Sequence, residues 1–370
     1  MTTHIFIVNT DTLKYHLEYL FAGTGAKDKY IDFNNSPNTK FHYATENNLL
    51  GMIADISRIR IGDNIIFYLQ AESGVEGKFF GIFKTKSLPF LDNNDNKQFL
   101  KDKLKKSLTF RVLIEPFEVY ADGVTEWEAL DEIKNICSPY QMLWSMIYRK
   151  LKGNRGNTMI TIYEFERLRH LIRNKNNKQI LRSLNFSFDA VDKKIIATNR
   201  SNLYEGEKEK IDIFPRLIAK FHKSQQFETH LQAYILQNLE SIFTNLKNIE
   251  WIGNEVSCGV GMQRIDILIS AFDGNNRVLL PIELKSTEAK IGIIRQIQRY
   301  VDWINQYYLP NRYSDVEPVV ISRQIIDKNM THFKDLIDEF NSFNAKNNLK
   351  ITYIEFSITN NSIKFKKIDY

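Results

Sequence analysis

The apolar run "VLLPIELKST" at residues 278–287 is interrupted by Glu283 and Lys285, two positions apart. A strand puts i and i+2 on one face, so an acid and a base point together from a segment otherwise suited to burial. Asp266 lies in a second apolar stretch, "QRIDILISAF", and the "DGNN" between the two predicts a hairpin. A two-residue loop at Gly274-Asn275 places Asp266 opposite Glu283. Centring the turn on Asp273-Gly274 shifts the pair one diagonal step and keeps both side chains on one face. A three-residue loop would put them on opposite faces.

Two facing carboxylates repel, and an unpaired buried charge costs several kcal/mol, roughly. A divalent cation relieves that repulsion, and Mg²⁺ typically binds through one or two carboxylates plus water and substrate phosphate. Such a metal activates water and stabilises the leaving oxygen of a phosphodiester. Lys285 beside it could hold the attacking water or offset charge in the transition state. The plain alternative is that an E-x-K triplet is common on exposed strands. Against it stand the apolar neighbours of Asp266, the i, i+4 pair Gln296 and Tyr300 on the next helix, and Glu228 at the head of an amphipathic helix. A carboxylate at that last position can also simply favour the helix N-terminus.

Asp266, Glu283-Leu284-Lys285 and Gln296-x-x-x-Tyr300, in that order, resemble the PD-(D/E)xK nuclease signature with its Q-x-x-x-Y helix. The stretch from "FETHLQAYILQNLE" to "QIQRYVDWI" is most similar to the C-terminal domain of NucS-type endonucleases. The resemblance implies a metal-dependent active site of Glu228, Asp266, Glu283 and Lys285, with Asp266 and Glu283 as metal ligands. Mg²⁺ is the implied cofactor, with Mn²⁺ as a substitute. Gln296 and Tyr300 would support the site and contact the nucleic acid backbone. The chain reads Ile265-Asp266 where the signature has proline, and the first NucS domain is not recognisable.

The elements that must position these residues divide the chain in three. Residues 1–120 hold short strand-like runs, "HIFIVNT", "NIIFYLQ", "GKFFGIFKTK" and "LTFRVLIEPFEVY", with a helical "TENNLLGMIADISRIRIGD" among them. Residues 121–205 turn helical through "EWEALDEIKNI", "SPYQMLWSMIYRKLKG" and "TIYEFERLRHLIRNKN", the last with a Thr161/Glu164 capping box. "SNLYEGEKEKIDIF" at 201–214 reads as a linker. Residues 206–370 alternate helix and strand, beginning with one long helix over "SQQFETHLQAYILQNLESIF", as an α/β domain does.

The first part resembles an EVE or YTH-like domain of the PUA superfamily, carried by Gly62-Asp63, Phe67-Tyr68 and Phe80-Gly81-Ile82-Phe83. Such domains hold a flipped or modified base in an aromatic cage. No Trp precedes Trp127, which leaves Phe33, Phe41, Tyr43 and Tyr68 as cage candidates, each with an ordinary core role as its rival. "YRKLKGNRGNT" gathers Arg149, Lys150, Lys152 and Arg155 between glycines, and a shaped turn of this kind suits phosphate contact. Arg264, beside Asp266, joins them as a backbone contact.

The expected fold is therefore α/β and α+β multidomain: a β-barrel-like EVE/PUA-type domain, a helical middle segment and a restriction-endonuclease-like α/β core. The expected activity is Mg²⁺-dependent endonucleolytic hydrolysis of double-stranded DNA in modification-dependent restriction. A sequence-specific restriction or NucS-like repair enzyme, and a non-catalytic nucleic-acid-binding module, stand as alternatives. Two cysteines without metal-ligand spacing argue against zinc and disulfides and fit a reducing cytoplasm. The N-terminus reads as a strand and no apolar run approaches a membrane span. A net charge of +6 suits a polyanionic partner, and double-strand cleavage implies a homodimer.

Overall fold

The computed structural model describes residues 1–25, 31, 46–72, 76–93, 97–135, 137, 156–258, 263–359 and 362–370. The chain forms two compact units, Met1–Asp212 and Ile213–Tyr370.

The first unit is a curled sheet. Strand β1 (Thr3–Val8) lies parallel to β3 (Asn64–Leu69), and helix α1 (Thr10–Glu18) connects β1 to β2 (Phe21–Thr24). Helix α2 (Glu46–Ser57) precedes β3. β4 (Lys78–Thr85), β5 (Phe90–Leu91) and β6 (Phe110–Pro116) extend the sheet antiparallel. β2 pairs with β6, β7 (Val124–Thr125) with β4, and β8 (Asn157–Ile160) with the free side of β1. Residues 121–205 are thus no separate helical segment. Strands β7 and β8 complete the first sheet, and helix α3 (Ile162–Lys175) puts Leu168 and Ile172 into its core. Thr161 and Glu164 do form the expected capping box. The helix expected over "SPYQMLWSMIYRKLKG" lies outside the described residues.

Gly62, at φ +88°, makes the turn into β3, and Asp63 fixes it by accepting hydrogen bonds from the Thr2 and Arg60 N–H groups and from His4 Nε2. A hairpin of β9 (Phe186–Asp189) and β10 (Lys194–Ala197) follows α3. The sequence reads as a linker over 201–214, yet its residues up to Asp212 are bound to this unit. Strand β11 (Glu209–Lys210) pairs with β5, and Tyr204 packs against Phe21, Phe90 and Phe99. Its hydroxyl donates to Asp92 Oδ2, which also meets the fully buried Arg111 at 2.8 Å. One aromatic anchor outweighs a charged, unpatterned neighbourhood.

The second unit is a mixed seven-stranded sheet. β12 (Lys247–Ser257), β13 (Arg264–Asp273) and β14 (Asn276–Glu288) run antiparallel, and β16 (Val319–Arg323) and β17 (Thr352–Ile358) continue parallel beside β14. β15 (Asp315–Val316) pairs with β14, and β18 (Ile363–Ile368) closes the order antiparallel to β17. Its helices are α4 (Phe214–His222), α5 (Glu228–Gln237), α6 (Ile294–Trp303) and α7 (Thr331–Asn347). The long helix expected from 224 is shorter: Ser224 has φ +51°, and α5 begins only at Glu228. Both cysteines are free thiols, Cys137 exposed and Cys258 buried. Among the described residues no helix is long and apolar enough to cross a membrane.

Candidate active site

The hairpin takes the two-residue loop. Pairing runs from Asp273 opposite Asn276 to Ile267 opposite Ile282, and Gly274 supplies φ +60° at the turn. The next facing positions are Asp266 and Glu283, and there the backbone ladder gives way to a side chain. The Leu284 N–H donates to Asp266 Oδ2 at 2.8 Å. Apolar residues flank both carboxylates because β13 and β14 are central strands with each face covered, Ile265, Ile267, Ile282 and Leu284 being fully buried.

Glu283 is 1% exposed and is held from both sides. Lys285 Nζ donates to its Oε1 at 2.5 Å, and the Tyr300 hydroxyl lies 2.5 Å from Oε2. That hydroxyl is also 2.9 Å from the Arg264 carbonyl. Tyr300 is 2% exposed, so it is spent on Glu283 and does not reach a nucleic acid surface. Gln296 lies one turn earlier on α6 and is half-buried. Glu228 opens α5, and its Oε2 accepts the Ser286 N–H at 3.3 Å.

These ionisable groups feel one another. Withdrawal from water and then the Glu283 charge hold the Asp266 carboxyl well above the usual carboxylate range, against the pull of the Leu284 N–H. Burial also raises Glu228, with Lys285 opposing. Burial alone would lower Lys285, but the Glu283 charge and hydrogen bond, with Glu228 and Asp266, leave it raised and protonated. Burial, reinforced by Glu283, pushes Tyr300 up, so it serves as a neutral donor. Cys258, at the end of β12, is pushed up to about 12 by burial and feels Arg299, Glu283 and Asp266.

Sequence reasoning missed Gln232. It is buried one turn after Glu228, and its Nε2 donates to the Asp266 carbonyl at 2.8 Å, bracing the strand that carries the acid. Its i, i+4 spacing from Glu228 was the available signal. Arg264 is paired with Glu255 at 2.9 Å, which commits part of the charge expected for DNA backbone contact. Arg149, Lys150, Lys152 and Arg155, and the cage candidates Phe33, Phe41 and Tyr43, lie outside the described residues. Tyr68 is core rather than cage. It is 5% exposed, packs on Phe79, and leaves no room for a Cβ at Gly77.

Among the described residues no three His, Cys, Asp or Glu side chains form a self-sufficient metal cage. The donors present, two carboxylates forced together with a cation beside them, match what Mg²⁺ uses when water and substrate phosphate complete its shell.

The mixed sheet thus brings together two facing carboxylates, one of them fully buried, a lysine and a bracing tyrosine. Residues 227–361 match the family model for the Endonuclease NucS C-terminal domain. The second unit accordingly carries a NucS-like endonuclease C-terminal domain, with nuclease-type hydrolase activity and DNA binding as the function it indicates. Three solved structures resemble about half of the chain. A hypothetical protein from Leishmania major aligns at TM-score 0.28 and 10% identity, over 47% of this chain and 96% of its own. The human THYN1 protein in complex with 5-methylcytosine-containing DNA aligns at 0.27 and 8%, over 46% and 97%. A Pseudomonas putida protein aligns at 0.27 and 12%, over 46% and 98%. Likeness of that degree carries no functional argument. No curated protein matches the chain.

Proposed function

We propose that this chain is a Mg²⁺-dependent endodeoxyribonuclease of modification-dependent restriction, with a base-reading first unit and a DNA-cutting second unit. The observation that carries the catalytic half is Asp266 facing Glu283, with Lys285 and Tyr300 both bound to Glu283, inside the region matching the NucS domain.

Asp266 and Glu283 would hold the metal, which when bound supplies positive charge for water activation and for the leaving oxygen. Glu283 keeps Lys285 protonated and aimed along the strand face, where its ammonium can bind the attacking water or a phosphate oxygen. Tyr300 holds the other oxygen of Glu283, so the carboxylate does not have to be oriented during the reaction. Glu228 anchors the start of α5 to Ser286 and adds negative charge behind the lysine.

The reading half rests on the EVE/YTH-like pattern, whose residues lie on the paired strands β3 and β4 and on the turn into β3. A dimer would supply the second active site for a double-strand cut. Matched plasmids, with and without cytosine or adenine modifications, test this reading in Mg²⁺. Cleavage confined to a modified plasmid is expected. Equal cutting of all of them would remove modification dependence and leave a sequence-directed nuclease.

A further inference from the structure

Helix α6, which delivers Tyr300 to Glu283, carries a second functional arc. Arg295 and Arg299 are one turn apart and both exposed. At about 100° per residue, Arg299 lies about 60° and Arg295 about 100° from Gln296 around the helix, both on the same side of the arc that Tyr300 turns toward Glu283. Arg299 is close enough for its charge to act on Cys258, which also feels Glu283 and Asp266. Other cations of this unit are already committed: Lys285 to Glu283, Arg264 to Glu255, Arg277 and Arg312 to Glu250. Among the described residues neither Arg295 nor Arg299 has a carboxylate at ion-pair distance.

A solvated helix face is the plain reading of two exposed arginines. It does not account for where they sit. Arg295 occupies the first turn of α6, which holds no acidic residue, and a cation there opposes the helix dipole. The last turn, where basic residues are favoured, has none. An arrangement unfavourable in the free protein becomes favourable when an anion lies across that end.

We propose that Arg295 and Arg299 form a phosphate clamp that seats the duplex DNA backbone beside the scissile phosphate. The clamp rests on the nuclease reading and adds to it the track that the substrate follows. Binding of a 30-base-pair duplex is measured by fluorescence anisotropy across a salt series, with cleavage in Mg²⁺ alongside. The proteins compared are the full-length wild type, Arg295→Ala/Arg299→Ala and, as a control for charge alone, Lys346→Ala/Lys350→Ala. The arginine pair should weaken binding about tenfold and flatten the log K against log salt slope by about 2, one unit per lost phosphate contact. The lysine pair should change neither affinity nor slope. Wild-type affinity and slope in the arginine variant, while the wild type cleaves, would overturn the clamp alone. Absence of both binding and cleavage by the wild type would overturn the nuclease reading and the clamp with it.

Discussion

Glu283 shows how a buried carboxylate is accommodated by partners on both of its oxygens. Left unpaired it would be expensive, and Lys285 and Tyr300 remove that expense by occupying its two oxygens. The two partners have separable duties, since the lysine brings charge to the site and the tyrosine brings only orientation. Tyr300→Phe should therefore lower kcat about 10- to 100-fold with duplex affinity intact, and raise the Mg²⁺ concentration needed for half-maximal rate. A Phe variant with unchanged metal dependence would assign Tyr300 to packing alone. The acid–lysine strand and the facing aspartate were legible in the sequence because period-two alternation and a "DGNN" turn leave few registers. Gln232 was not, since its role depends on α5 packing against the strand it braces.

At the scale of elements, the strap at residues 201–212 and helix α1 offer two tests. Tyr204 satisfies Asp92 and Arg111 inside the first unit, so Tyr204→Phe strands a buried ion pair without its hydroxyl and should cost about 1–3 kcal/mol. Tyr204→Ala also empties an aromatic site and should cost about 3–5 kcal/mol, read from urea midpoints. His16 in α1 is 1% exposed, its Nδ1–H donates to the Phe21 carbonyl, and burial pushes its pKa down to about 3. Below the ordinary value of 6.5 the unfolded chain binds a proton that the folded unit refuses, so stability falls as pH drops from there toward 3. The loss approaches about 1.4 kcal/mol per pH unit. Buried His4, also lowered by burial, adds a loss of the same sign. In His16→Gln the pH slope of urea stability between about pH 5.5 and 4 should shrink by about that amount. An unchanged slope would mean that His16 protonates in the folded state. The strap was illegible because its sequence is charged and irregular, and only the three-dimensional cluster around Tyr204 explains it. Strands β8, β9 and β10 were hidden by brevity, each spanning four residues, too few for alternation to register.

The whole molecule joins two units of different character. The first is a curled sheet unit that buries several polar residues in structural roles, His4, Asp63, Arg58 and Arg111 among them. The second gathers Asp266, Glu283 and Lys285 at one hairpin and Tyr300 on one helix, within the stretch that matches a NucS-like endonuclease domain. If the chain cuts DNA as proposed, the first unit is the candidate source of its selectivity, since a modest basic surplus is not sequence-specific. Deleting selectivity should therefore differ from deleting catalysis. Lys285→Ala should retain any preference for modified duplex in binding assays while losing cleavage. Loss of both together would tie recognition to the hairpin instead.

The central claim is that Asp266, Glu283 and Lys285 form one metal-dependent cleavage site. Its most direct test is conversion of a supercoiled plasmid carrying the recognised base by purified full-length protein in Mg²⁺, with Asp266→Ala and Lys285→Ala in parallel. The site predicts nicked or linear product from the wild type, none after chelation, and at least a roughly 10³-fold loss in each variant with DNA binding retained. Cleavage at wild-type rates by both variants would contradict it.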